Sequence, residues 1–378
     1  MSLRSTIRIG LLAMLSSLAG ASQPADEPAE QIQLIRWSSE EPLFGARVES
    51  TEQGVKVSVD SQVIPVLVPW YDVRALEKPD DGFRAYAQTA QDAWRAHSRF
   101  ERGDYPGAQR IYTRLADDYL WKVGPQSADV SYGLMRCMLD QQDAQQATIP
   151  MLSWLVATGP GRASGQADQP TDFDHKHSLF VSLPPIPHPG TESYGLGPLR
   201  VDAVTDRQAA LHELYDLSFS IGLQRDNQIS ERLLALSERI SKQRLRDPGI
   251  MLILDMLTAR AHPEADKRAD ARAKLERRVQ YDDDTWVEVW SRLGLGMSLL
   301  SEPDHASKDR GVIHLIHIIV RLRDISPTLA QLAAKIADDH LAKTDRARWG
   351  DELIIESKKH QSITESKLVL PSQGTHQP

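Results

Sequence analysis

The spacing of apolar positions changes twice along the chain. From Ile32 to Glu77 it is short and partly alternating: IQLIRW, FGARVES, GVKVSV, QVIPVLVPW and DVRALE are separated by Gly45, Glu52-Gln53-Gly54 and Asp60-Ser61. That pattern predicts an antiparallel meander of four or five short strands. Pro65 and Pro69 place the fourth of these at an edge or a bulge, because proline cannot donate to a ladder. From Gly82 the period lengthens to that of helices. Phe83 to Arg102 reads as one helix and Tyr105 to Tyr119 as the next, with Gly103-Asp104 reversing the chain and Pro106 tolerated in the new first turn. Ala108, Tyr112 and Leu115 share one face of the second helix.

The helix–break–helix plan recurs. Gly133 to Leu139, then Gln142-Asp143-Ala144, Ala147, Met151 and Trp154 repeat it. In the C-terminal half, Leu211, Leu214, Tyr215, Ser218 and Ile221 form one face, and Ile229, Leu233, Leu236 and Ile240 another. Ile250 to Leu257 is almost wholly apolar and predicts a central helix. Thr205/Gln208 and Thr285/Glu288 have capping-box spacing, and Ser326-Pro327 reads as N-cap and first helical position. Between the halves, Thr158 to Arg200 holds seven of the 22 prolines and six glycines. Such a stretch is neither a long helix nor a central strand, and predicts a linker or an extended segment.

Two resemblances follow from these residues. Gly103-Asp104-Tyr105 followed by Ala108, Tyr112 and Leu115 resembles a tetratricopeptide-repeat hairpin, and Trp290-x-x-Leu293-Gly294-x-x-Met297 is similar to the start of that family's first helix. Asp92, Arg95 and Arg99 stand where the family has Trp, Leu and Tyr. Trp94, His97 and Phe100 are displaced by one or two residues. The spacing from Ala108 to Ala147 exceeds the family's period of ~34 residues. The strand-rich stretch, closing on Pro69-Trp70-Tyr71-Asp72-Val73, resembles a small SH3-like or Sm-like barrel. The repeat resemblance implies a helical surface that binds proteins or peptides.

The N-terminus adds a compartment. Arg4 and Arg8 precede an apolar run from Ile9 to Leu18, and Ala19-Gly20-Ala21 is a small-x-small cleavage site. This is the pattern of a secretory signal peptide rather than a bilayer span. The expected organisation is a signal peptide at 1–21, a linker at 22–31, a small β module at 32–78 and helical hairpins at 82–157. A Pro/Gly-rich segment follows at 158–204, then C-terminal helical hairpins at 205–361 and a tail at 362–378. The fold class is mainly α: an α-solenoid-like array of helical hairpins with a small N-terminal antiparallel β module. After cleavage no stretch is long enough to span a membrane, and an exported location, periplasmic or extracellular in a bacterial envelope, is expected.

Charge and composition narrow the function classes. The 378 residues carry a net charge of −8, and cleavage removes two arginines and no acid, taking it to −10. With no long basic run, the chain is not expected to bind nucleic acid or an anionic membrane. Its single cysteine, Cys137, lies among apolar neighbours and permits no intramolecular disulfide. No P-loop, G-x-S-x-G, H-E-x-x-H or G-x-G-x-x-G pattern is present, so no cofactor is expected.

Candidate chemistry is sparse. Asp172, Asp174, His175 and His177 form the most site-like cluster, because two imidazoles and two carboxylates in one loop suit a divalent ion. An extended H-x-H would point both rings to one side. His314 and His317 share a helix face and read as groove-lining or partly buried. Asp282-Asp283-Asp284 reads as charge before a helix start rather than a calcium loop. Lys267 to Arg278 reads as a solvated charged helix. Trp94, Arg95, Arg99, Tyr132 and Arg136 are the candidate partner-contact residues on the first helices of the hairpins, the aromatics being equally suited to the core.

Three readings of function follow. The leading one is an exported, non-catalytic scaffold or adaptor that binds a protein or peptide partner on its helical surface. The others are a metal-dependent enzyme using the Asp172–His177 loop, and a self-assembling envelope protein that oligomerises through the β module.

Overall fold

The computed structural model describes residues 32–59, 64–141, 143–162, 171–186, 196, 205–223, 228–282 and 285–342. The expected signal peptide, the 22–31 linker and the tail at 362–378 lie outside the described residues, as do Asp283 and Asp284.

Six short strands open the fold: β1 (Ile32–Arg36), β2 (Leu43–Gly45), β3 (Arg47–Thr51), β4 (Gly54–Ser58), β5 (Val66–Val68) and β6 (Val73–Leu76). They form two three-stranded antiparallel sheets, in the orders β2-β1-β6 and β3-β4-β5. Strand β1 pairs with the last strand as well as the next, with a register shift between Ile35 and Arg36. Strand β5, flanked by Pro65 and Pro69, lies at a sheet edge. A 3-10 turn over Trp70–Asp72 joins β5 to β6.

That turn docks the sheets onto the helices. Trp70 is fully buried, and its indole N–H donates to the carbonyls of Thr51 (3.0 Å) and Glu52 (3.1 Å). Its ring packs against Phe83 and Tyr86 of α1 (Asp81–Glu101). Gln53 and Ser127 exchange two hydrogen bonds, the Gln126 amide oxygen accepts from the Tyr71 backbone, and the Tyr119 hydroxyl donates to the Glu52 carbonyl. The strands and the first three helices therefore share one core, including Leu34, Val55, Val57, Trp70, Ala93, Tyr112 and Leu134.

After α1 come α2 (Tyr105–Tyr119), α3 (Pro125–Asp140) and α4 (Ala144–Arg162). The reversal between α1 and α2 needs Gly103, whose φ of 75° disfavours other residues. Asp104 then caps α2 by accepting from the Gly107 N–H at 3.1 Å. Helix α4 extends to Arg162, into the proline-rich stretch. The C-terminal half comprises α5 (Asp206–Leu223), α6 (Ile229–Lys242), α7 (Pro248–Ala261), α8 (Ala265–Tyr281), α9 (Trp286–Leu300), α10 (His305–Arg321) and α11 (Pro327–Leu341). Thr205 and Gln208 form the expected reciprocal box before α5. Thr285 caps α9 by accepting from the Glu288 N–H, the Glu288 carboxylate pairs with Arg292, and Ser326 starts α11 without a side-chain cap.

Each helix packs on the next, and α1 on α3, α5 on α7, α7 on α9 and α9 on α11. Sequential hairpins with next-but-one contacts are the packing of a helical-repeat array. Between α3 and α5 the row is filled by a hairpin of β7 (Phe173–Asp174) and β8 (Leu179–Phe180) and the extended chain after it. Leu179, Phe180, Leu183 and Ile186 are buried in the larger core. The Tyr215 hydroxyl of α5 donates to the Leu183 carbonyl (2.7 Å), and the Trp290 indole of α9 donates to that of Val181 (3.1 Å). The stretch from Leu179 to Ile186 is thus an internal strut between the helices. No helix among the described residues is long and apolar enough to cross a membrane.

Candidate functional site

Helix α1 has two faces of different chemistry. Ala90, Ala93 and Ala96 are buried, and their small side chains let neighbouring elements approach closely. Turned away from them are Asp92, Arg95, Arg99 and Arg102. With Trp94 and Ser98, and with Ile111 and Arg114 of α2, these residues line a pocket of about 330 Å³. Four guanidinium groups and one carboxylate face it, in a chain whose net charge is −8.

The carboxylate is shared loosely. Asp92 lies 4.0 Å from Arg95 and 3.7 Å from Arg114. Arg99 is held at 2.8 Å by Asp104, the residue that caps α2, so the cap also orients one arginine of the pocket. The Arg102 side chain forms no ion pair among the described residues. All four arginines are exposed at the surface, whereas the Asp92 side chain is mostly buried.

The wall beside the pocket is aromatic. Trp94 stacks on Trp37, just after β1, with ring centroids 4.3 Å apart and planes 16° from parallel. Arg74 of β6 lies over the other ring at 5.1 Å, a cation–π contact. Trp37 is 44% exposed, so the stacked pair presents an aromatic edge to solvent where the sheets meet α1.

The structure brings three of the five expected contact residues, Trp94, Arg95 and Arg99, to this pocket. Tyr132 and Arg136 lie elsewhere, on α3. Tyr132 packs edge-on to Phe100 and stacks near Phe180, and Arg136 donates to Asp172 at 2.9 Å. Arg102 and Arg114 were not singled out from sequence. The i, i+4, i+7 spacing of Arg95, Arg99 and Arg102 is a helical stripe legible in the sequence. Arg114 joins it only once the α1–α2 packing is known.

In the Asp172–His177 cluster the chain turns over residues 175–178, so it is not extended there. His175 is exposed and lies against Phe173, whereas His177 is buried. Asp172 accepts from Arg136 and from the Ser182 hydroxyl. Asp174 accepts from the His177 N–H (2.8 Å) and the Trp286 indole (2.9 Å), and lies 3.1 Å from the His177 ring. Burial opposes its charge, but these partners prevail and hold its carboxyl below the usual range. Both carboxylates so tie the β7–β8 hairpin to α3 and α9. Among the described residues no group of three or more His, Cys, Asp or Glu side chains is gathered to hold a metal ion.

His314 and His317 are half-buried on α10, where His317 lies 3.7 Å from the fully buried Glu288. Burial, together with Arg292 and Arg310, pushes the His314 pKa down to about 4. Cys137 is buried, which pushes its thiol up to about 12 and leaves it an unreactive core residue. Comparison with protein-family models, with curated proteins and with solved structures finds no match to this chain.

Proposed function

We propose that this protein is an exported, non-catalytic adaptor of the bacterial envelope that holds a protein or peptide partner on its helical-hairpin surface. The hairpins are read as tetratricopeptide-like, and the strand module as an SH3-like support for the first of them. One observation carries the reading: the pocket between α1 and α2, concave and arginine-lined, with the Trp37–Trp94 stack at its side. Arginine and tryptophan are the side chains that dominate binding energy where protein surfaces meet. The carboxylates of the Asp172–His177 hairpin are engaged in holding elements together, which supports an architectural role for that segment.

The test is affinity capture of tagged full-length protein from its native envelope, beside an Arg95→Glu/Arg102→Glu variant. Neither arginine closes a tight ion pair, so the variant is expected to fold as the parent does. A partner recovered with the parent and lost with the variant is the expected result. The same proteins recovered with both, or this chain alone, would count against an adaptor acting through α1.

A further inference from the structure

We infer that the α1–α2 pocket recognises carboxylates: its occupant is an acidic segment of a polypeptide, with two or more Asp or Glu side chains set among Arg95, Arg99, Arg102 and Arg114. This inference rests on the adaptor reading and names the chemistry of the partner.

The charge balance is the first argument. Four guanidinium groups line about 330 Å³, with Asp92 among them and Asp104 of the α2 cap paired to Arg99 at 2.8 Å. Four positive charges against two carboxylates leave the cluster short of anions, and planar guanidinium groups match carboxylate oxygens in pairs. Asp92 shows where one such oxygen fits. It sits between Arg95 and Arg114 at 4.0 and 3.7 Å, too far for a tight pair, so both guanidinium groups keep donors to offer. Arg102 has no ion pair among the described residues at all.

Size and wall chemistry choose among anions. The volume is at the small end of ligand pockets and suits a few side chains rather than a nucleic-acid backbone. A phosphate polymer would call for a basic stripe continuing along the surface, and the chain has no long basic run. Trp94 and Ile111 give the lining an apolar part, which suits the methylene groups of glutamate and the backbone between acidic residues. Free phosphate would leave those walls unused.

The test uses the full-length chain and three probes: a fluorescein-labelled peptide with glutamate at alternating positions, its all-glutamine counterpart, and a labelled single-stranded oligonucleotide of equal length. Binding is followed by fluorescence anisotropy. The glutamate peptide is expected to bind and the glutamine peptide not. Arg102→Gln should weaken binding by roughly tenfold, the loss of one charge-assisted contact. Asp92→Asn, which removes the competing carboxylate, should tighten it. High salt should weaken binding by screening. Circular dichroism of both variants should match the parent, so loss of fold is read separately.

Equal binding of the two peptides would overturn the inference, as would an affinity unmoved by Arg102→Gln. Tighter binding of the oligonucleotide, or full displacement of the peptide by millimolar inorganic phosphate, would overturn it in favour of phosphate chemistry. If the glutamate peptide fails while capture from the envelope still depends on Arg95 and Arg102, the ligand class is wrong and the adaptor surface stands. If both fail, the adaptor reading falls as well.

Discussion

Gly133 of α3 shows how tightly single residues set the hairpin packing. A Cβ placed there would lie 2.3 Å from the ring of Tyr112, which is itself fully buried. Gly133→Ala is therefore expected to destabilise the fold by about 1–3 kcal/mol, the usual cost of overpacking, read from urea unfolding. Two histidines give the stability curve opposite slopes. For His97, burial opposes the charged form, but the Asp129 hydrogen bond at 2.7 Å and the charges of Asp129, Glu101 and Asp72 raise the pKa above 6.5. Its contribution is complete below the unfolded value and is lost as the pH rises through the higher folded value. Relative to His97→Gln, the parent should gain more stability near about pH 6 than near about pH 8. A flat difference would contradict the geometry. His314 works the other way: with a folded pKa of about 4, its contribution is present above 6.5 and fades as the pH falls toward 4. Neither effect is legible in the sequence, because each depends on which carboxylates and guanidinium groups the tertiary packing brings near.

Among elements, those with strong local signals were legible and those made by long-range contacts were not. The turn Gly103-Asp104, the proline in the first turn of α2 and the apolar run of α7 specify their helices locally, and the Thr205/Gln208 box forms as spaced. Helix α8 is different. Its run of basic residues read as a solvated face, yet Arg268 and Arg272 pair with Glu302, and Lys274 and Arg278 pair with the buried Asp255. Charge density alone does not say which side of a helix meets a buried carboxylate. The β7–β8 strut is the clearest case, since proline-rich composition is shared by solvated linkers and by extended chain laid into a core. Tyr215→Phe leaves the buried Leu183 carbonyl without its donor and is expected to cost about 1–2 kcal/mol. The strand module is also integral rather than appended. A chain beginning at Gly82 exposes Phe83 and Tyr86 where Trp70 packed, and should melt well below the full-length protein by circular dichroism. Equal melting temperatures would mean that the shared core contributes nothing.

For the molecule as a whole, the mainly helical class and the order of strands before helices were readable from the change in apolar period. The pocket was half readable. Its arginine stripe on α1 lies within one helix, whereas Arg114 and the Trp37–Trp94 stack require the α1–α2 crossing and the docked sheets. The larger core runs from α3 to α11 and the smaller from β1 to α3, and Met138 of α3 packs against both. Helix α3 thus links the arginine pocket to the rest of the array. The most direct test is a photo-activatable residue at Ser98, inside the pocket, and another at the exposed Asp339 of α11, each activated in living cells. The account predicts that Ser98 captures a partner whose cross-linked peptide is rich in Asp and Glu, and that Asp339 does not. Capture at Asp339 alone, or a basic or apolar peptide at Ser98, would contradict it.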